Sequence, residues 1–231
     1  MQKYRAIFFD LDHTLWDYEK NSHETLSELY HSYELKNQCG FSFDQFYYHF
    51  GRINQRLWNQ FNHGIVERSA IREERFSRIF NHFHIDDLDL AIRISDDYLK
   101  QCPVKTNLFP HAHDVLQYLQ QKYKLYILTN GFDDVQKVKI VQSNLNGYFQ
   151  GMITSETIGH RKPSREIFDH AREIAGVSTN ESLMVGDNLT ADILGAKNAA
   201  IDSVYFNPLK KIHNESLNAE IHCLSQLMNM L

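Results

Sequence analysis

Two aspartates one residue apart close the run Ile7-Phe8-Phe9-Asp10-Leu11-Asp12-His13-Thr14. Alternate side chains of an extended chain share a face, so Asp10 and Asp12 can converge on one crevice. Carboxylates paired in this way can hold a hard cation, attack an electrophile or carry a proton. Taken alone, the pattern also suits the plainer task of ending a strand and capping the next element. Three further segments carry residues of the same kind. Leu128-Thr129-Asn130-Gly131 ends a second apolar run, Arg161-Lys162-Pro163 precedes a helical stretch, and Gly186-Asp187-Asn188 ends another run, with Asp192 five residues beyond Asp187. Singly these read as a turn, a solvated helix approach and a cap. Jointly they supply acids, a hydroxyl and a lysine from four separate places in the chain.

The elements around them say how they could meet. Residues 4–10 read as a strand, and then about 90 residues pass before the next strong one. That gap is helical in pattern: Phe43, Phe46, Phe50, Ile53, Leu57 and Phe61 recur at spacings of three and four, and shorter stripes flank them. Four helices are expected between about 17 and 105. After Pro103 and Pro110, strands near 123–129, 151–155, 182–186, 203–206 and Ile221 alternate with helices near 111–121, 132–145, 164–175 and 190–199, and a last helix closes the chain. Such alternation predicts an α/β fold, a doubly wound, Rossmann-like parallel sheet, with active groups at its carboxyl edge. The predicted organisation is a core of residues 1–16 and 106–231 carrying a helical domain of residues 17–105 inserted after the first strand.

Composition narrows the function. With 231 residues, 42% hydrophobic, the chain can bury a real core, and a formal net charge of −5 without a basic stripe argues against binding a nucleic-acid polymer. No apolar run approaches the roughly 18 residues of a membrane span and no leader precedes the first strand, so a cytoplasmic protein is expected. Cys39, Cys102 and Cys223 are odd in number and far apart, as idle thiols of a reducing compartment would be. The thirteen histidines, His82 with His84 and His111 with His113 included, lack the spacing of a zinc site. No protein partner is inferable.

The ordered set resembles the haloacid dehalogenase-like hydrolase superfamily, whose four motifs match Asp10-Leu11-Asp12-His13-Thr14, Thr129-Asn130-Gly131, Lys162, and Gly186-Asp187 through Asp192. The stretches Leu57-Trp58-Asn59-Gln60-Phe61-Asn62-His63-Gly64-Ile65 and Ile127-Leu128-Thr129-Asn130-Gly131-Phe132 are similar to its nucleoside 5′-monophosphatase branch. The resemblance implies a Mg²⁺-dependent phosphomonoesterase acting on a small phosphorylated metabolite, a pyrimidine nucleoside 5′-monophosphate in particular, through an aspartyl-phosphate. Asp10 would be the nucleophile. Asp12 would be the general acid and then the base, with its pKa raised by neighbouring acids. Mg²⁺ would take the carboxylates of Asp10 and Asp187 and the main-chain carbonyl of Asp12. Two like charges 4 Å apart repel by about 4 kcal/mol at an effective dielectric near 20, so clustered acids facing a phosphate need such a cation. Thr129, the amides near Asn130, and Lys162 would hold the phosphoryl oxygens, with Asp192 orienting Lys162 or a metal-bound water. The family's dehalogenases lack an aspartate at the position of Asp12, which turns the expectation toward phosphoryl transfer. The helical insertion would be a cap, with Trp58, Arg52, Asn54 and Asn62 as candidates for contact with the leaving group. A sugar-phosphate phosphatase, a phosphomutase, and a non-catalytic phosphometabolite sensor are the alternatives.

Overall fold

The computed structural model describes residues 3–231. The first strand, β1 (Ala6–Phe9), buries all four side chains, as an apolar run without alternation must when both faces of a sheet are covered. It pairs in parallel with β2 (Lys124–Thr129) on one side and β4 (Ser182–Gly186) on the other; β3 (Gly151–Thr154), β5 (Asp202–Phe206) and β6 (Ala219–Ile221) complete an all-parallel sheet of order β3-β2-β1-β4-β5-β6. Chain order reverses direction between β1 and β4, and at such a switch point an open sheet leaves a crevice beyond its carboxyl ends. Register delivers the site to that crevice. Phe9 lies opposite both Ile127 and Val185, and Asp10 N–H donates to Val185 O at 2.9 Å, so Asp10, Thr129 and Asp187 leave adjacent strands at one edge.

The helices are α1 (Tyr18–Ser32), α2 (Leu35–Cys39), α3 (Phe43–Asn62), α4 (Arg68–His82), α5 (Leu88–Gln101), α6 (Ala112–Leu119), α7 (Asp133–Gln142), α8 (Ser155–Ile158), α9 (Arg165–Ala175), α10 (Gly195–Asn198) and α11 (Leu227–Met230). One face of the sheet packs Phe8, Leu128 and Met184 against Ile167, Phe168 and Ala171 of α9. The expected helix near 190–199 is divided into a π-helical turn, Leu189–Leu194, followed by α10.

The chain divides into two compact units: the residues up to Tyr18 together with those from Thr106 onward, and Glu19–Lys105. The second unit is all helix. It holds α2 in addition to the four expected helices; five residues between left-handed Glu34 (φ 47°) and Gly40 (φ 77°) are too few to show a period in the sequence. Ser42 opens α3 with a capping box, accepting from Gln45 N–H at 3.2 Å while its own N–H donates to Gln45 Oε1 at 2.9 Å. The buried stripe of α3 is Phe46, Phe50, Asn54, Leu57 and Phe61, with Asn54 where the sequence suggested Ile53. Among the described residues no helix is long and apolar enough to cross a membrane. All three cysteines are free thiols.

Candidate active site

Lys162 organises the crevice. Its side chain is 2% exposed, and its three ammonium hydrogens are all engaged, by Asp10 Oδ1 at 2.6 Å, Asp192 Oδ1 at 2.7 Å and the Leu128 carbonyl at 2.7 Å. Burial works against its charge, but Asp10 and Asp192 outweigh that and raise its pKa. Asn130 sets its position: the amide Nδ2 donates to Lys162 O at 2.9 Å and Oδ1 accepts from Lys162 N–H at 2.8 Å. Both ends of its side-chain amide thus meet the lysine's backbone, so the expected phosphate contact at Asn130 would fall to the main-chain amides.

Asp192 also has both oxygens occupied, since Oδ2 accepts from Asn188 N–H at 3.0 Å while Oδ1 holds Lys162. Asn188 in turn accepts from Thr190 N–H and Ala191 N–H, which fastens the turn after β4. The neighbouring glycine follows from this packing: a Cβ on Gly186 would stand 2.2 Å from Asp192 Oδ2.

Carboxylate oxygens of Asp10, Asp187 and Asp192 lie within 4.8 Å of one another. Among the described residues Asp187 accepts just a long 3.3 Å bond, from Thr14 Oγ1. Burial first, and then the charges of Asp10 and Asp192, push Asp187 well up, and burial with the charges of Asp192 and Asp12 pushes Asp10 up to about 7 against the pull of Lys162. Four acids, Asp10, Asp12, Asp187 and Asp192, face two ammonium groups, Lys139 and Lys162, leaving a formal charge of −2 when all are ionised. Hard oxygen donors with a divalent deficit are what Mg²⁺ requires. The donor set therefore fits the metal, with Asp10 and Asp187 having oxygens to offer and Asp192 committed elsewhere.

Asp12 differs from expectation. Its Oδ1 accepts from Lys139 Nζ at 2.6 Å and its Oδ2 from Gln136 Nε2 at 2.9 Å, both from α7. Burial pushes its pKa up, but the Lys139 charge and hydrogen bond, with Gln136 and His13, overcome that and hold it below the usual carboxylate value. The expectation of a pKa raised by neighbouring acids is thus corrected: the carboxylate turns away from them toward an ammonium. His13, at φ 64°, makes the bend that permits this, and the turn closes through His13 N–H to Trp16 O at 2.9 Å and Trp16 N–H to Leu11 O at 2.8 Å.

Thr129 Oγ1 accepts from Gly131 N–H at 3.0 Å and from Gln136 Nε2 at 2.9 Å. With both lone pairs taken, its hydrogen must point to another acceptor, which suits a donor to a phosphoryl oxygen. Gln136 and Lys139 escaped the sequence reading. Thr14 was read only as part of the first motif, without a role; here it donates to Asp187.

In the helical unit the four candidates do not share one environment. Asn54 is buried and accepts from Arg75 Nη1 at 2.9 Å, and that guanidinium lies over Tyr98 (4.6 Å) and Phe50 (5.1 Å). Arg52 is exposed and donates to Tyr48 OH at 3.2 Å. Trp58 is half-buried, edge-on to Phe61, and Asn62 is exposed.

The family model for haloacid dehalogenase-like hydrolases matches residues 4–200. The chain belongs to the haloacid dehalogenase-like hydrolase family. This hydrolase is 34% identical over 209 residues to the pyrimidine 5′-nucleotidase PynA of Streptococcus pneumoniae, covering 89% of this chain and 84% of that one. A glyceraldehyde 3-phosphate phosphatase of Pyrococcus abyssi is 31% identical, with 87% and 81% covered. The solved HAD-hydrolase YfnB of Bacillus subtilis, bound to magnesium, superposes with a TM-score of 0.88 at 29% identity, over 99% of this chain and 98% of that one. The hydrolase is an enzyme whose relatives include phosphatases of small phosphorylated substrates.

Proposed function

We propose that this hydrolase is a Mg²⁺-dependent phosphomonoesterase whose preferred substrate is a pyrimidine nucleoside 5′-monophosphate. The observation that carries the reading is the placement of Asp10: at the carboxyl end of the central strand, tethered by one oxygen to Lys162, with Asp12 two residues on and linked through Gln136 to the Thr129 hydroxyl. Asp10 attacks phosphorus, and the bond from phosphorus to the leaving oxygen breaks as an aspartyl-phosphate forms. Asp12, carrying the proton that it took from water in the preceding turnover, gives it to that departing oxygen. In the second half-reaction Asp12 takes a proton from water, the water oxygen bonds to phosphorus, and the acyl-phosphate bond breaks to return the Asp10 carboxylate. The bonds from Lys139 and Gln136, which hold the Asp12 pKa below the usual carboxylate value, suit the base of the second transfer. Thr129 and the amides after it donate to the phosphoryl oxygens. Mg²⁺, held by Asp10 and Asp187 with the Asp12 carbonyl, would supply the positive charge that lets a phosphate dianion approach four acids.

The nucleotide preference is supported by the likeness to PynA. A sugar-phosphate substrate is the second reading, supported by the likeness to the Pyrococcus abyssi phosphatase. The helical unit, as a cap, would read the leaving group. Phosphate release from nucleoside monophosphates, deoxynucleotides and sugar phosphates, with Mg²⁺ and with EDTA, tests both. Metal-dependent release concentrated on pyrimidine nucleotides is the expected result. Preference for sugar phosphates would leave the chemistry and discard the substrate, and release unaffected by EDTA would discard the metal.

A further inference from the structure

Helix α7 breaks the rule that its sequence suggests. Val138 and Val141 are 37% and 56% exposed, whereas Gln136 is fully buried and Lys139 is 5% exposed. A helix that turns two valines to water and a lysine inward gives up apolar burial, and ordering a buried lysine costs about 1.5–2 kcal/mol of side-chain freedom besides. Such local conflicts concentrate at functional sites. Here the inward residues end on one group. Lys139 Nζ sits 2.6 Å from Asp12 Oδ1 and 4.4 Å from the centroid of the Trp16 ring, while Gln136 Nε2 spans Asp12 Oδ2 and Thr129 Oγ1, each at 2.9 Å. Gly131 follows from the same arrangement, because a Cβ there would stand 2.2 Å from Gln136 Nε2.

We propose that Lys139, with Gln136, is a positioning residue for proton transfer: the pair fixes both oxygens of Asp12 so that its carboxyl group meets the leaving oxygen of the substrate. This rests on the phosphomonoesterase reading. Asp12 sits on a turn, and a lone Asp carboxylate there is free to rotate about its Cα–Cβ and Cβ–Cγ bonds. Two donors from one helix, three residues apart and therefore on one face, remove that freedom. Lys139 approaches Asp12 rather than Asp10, so its work is distinct from that of Lys162. The indole of Trp16 shields the ammonium on another side, which keeps the lysine from swinging into water.

The test compares leaving groups. A nucleoside 5′-alkoxide is a poor leaving group that needs a proton, whereas p-nitrophenolate departs without one. Because kcat/KM reports only steps up to the departure of the first product, it isolates the first proton transfer from the hydrolysis of the aspartyl-phosphate. Lys139→Met should lower kcat/KM about 30-fold for a nucleoside monophosphate but less than about 3-fold for p-nitrophenyl phosphate, a partial loss of the roughly 10²–10⁴ that a general acid supplies. Gln136→Leu, which keeps shape and charge, should show the same asymmetry at about 10-fold, and it serves where Lys139→Met does not fold. Equal losses on both substrates from either folded variant would make the clamp merely structural, or Lys139 a phosphate-binding group, and would overturn the proposal. Unchanged kcat/KM would overturn it as well. A wild-type enzyme that releases phosphate from neither substrate would instead bring down the phosphomonoesterase reading, and the inference with it.

Discussion

Helices α3 and α7 treat the same rule in opposite ways. In α3 the aromatic stripe goes inward, with Phe46, Phe50, Leu57 and Phe61 buried and the polar face in water. Its one breach, Asn54, is matched by Arg75 within the helical unit. In α7 the valines go outward and the inward face is Gln136, Lys139 and Ile140. The first helix therefore reports packing and the second reports chemistry. A helix whose sequence period and buried face agree has been shaped by the core; one whose inward residues are polar has been shaped by what they hold.

The sharpest way to break this comparison lies at the group to which the site converges. Asp10→Asn keeps shape and the acceptor for Lys162 yet removes the nucleophile, so turnover should fall by about 10⁴-fold or more with an unchanged far-ultraviolet circular dichroism spectrum. Near-normal turnover would refute the role of Asp10. On the packing side, Phe50→Ala should cost about 3–5 kcal/mol in denaturant unfolding, because it empties the space among Phe76, Tyr98 and Arg75. Gly186→Ala forces a methyl group against Asp192 and should cost about 1–3 kcal/mol and lower activity together, as Lys162 loses its seat.

A smaller effect tests the acid cluster. Burial, with Asp192 and Asp12, holds Asp10 at about 7 against the pull of Lys162, so the folded state keeps a proton there that the unfolded chain has lost above about pH 4. The folded form binds more protons across that window, and stability without divalent metal should fall as pH rises from about 4 to about 7. Melting curves in EDTA should show this fall, and Asp10→Asn should flatten it by several degrees, about the size a kcal/mol or two produces. The slope should not vanish, because Asp187 is raised as well. Smallest of all, Val141→Gln on the exposed face of α7 should change stability by no more than about 0.5 kcal/mol. A loss comparable to that of Phe50→Ala would show that the outward valines pack after all.

The sequence was most legible where side chains leave strand ends. Asp10, Thr129 and Asp187 each follow an apolar run, and the run both marks the strand and points to its carboxyl edge. Lys162 was legible through its place before a helix, and Asp192 through its spacing, five residues beyond Asp187. Gln136 and Lys139 were not, because a glutamine and a lysine on a helix look like solvated surface, and Val135, Val138 and Val141 draw attention to the other face. The state of Asp12 was hidden for the same reason: it is decided by a lysine 127 residues away. Asn130 was placed at the site, but its bond to the backbone of Lys162 depends on a fold-level approach that no local pattern carries. The five residues of α2 were too short to leave a period.

The most direct measurement is an acid quench of the Asp12→Asn variant during turnover of p-nitrophenyl phosphate, whose leaving group departs without a proton, with Mg²⁺, followed by mass spectrometry of the peptide that contains Asp10. Removing the base should slow hydrolysis of the intermediate, and the account predicts a phosphoryl group on Asp10, absent from the Asp10→Asn control. Metal-dependent phosphate release from the same variant with Asp10 never labelled would mean that water attacks the substrate directly, and would contradict the account.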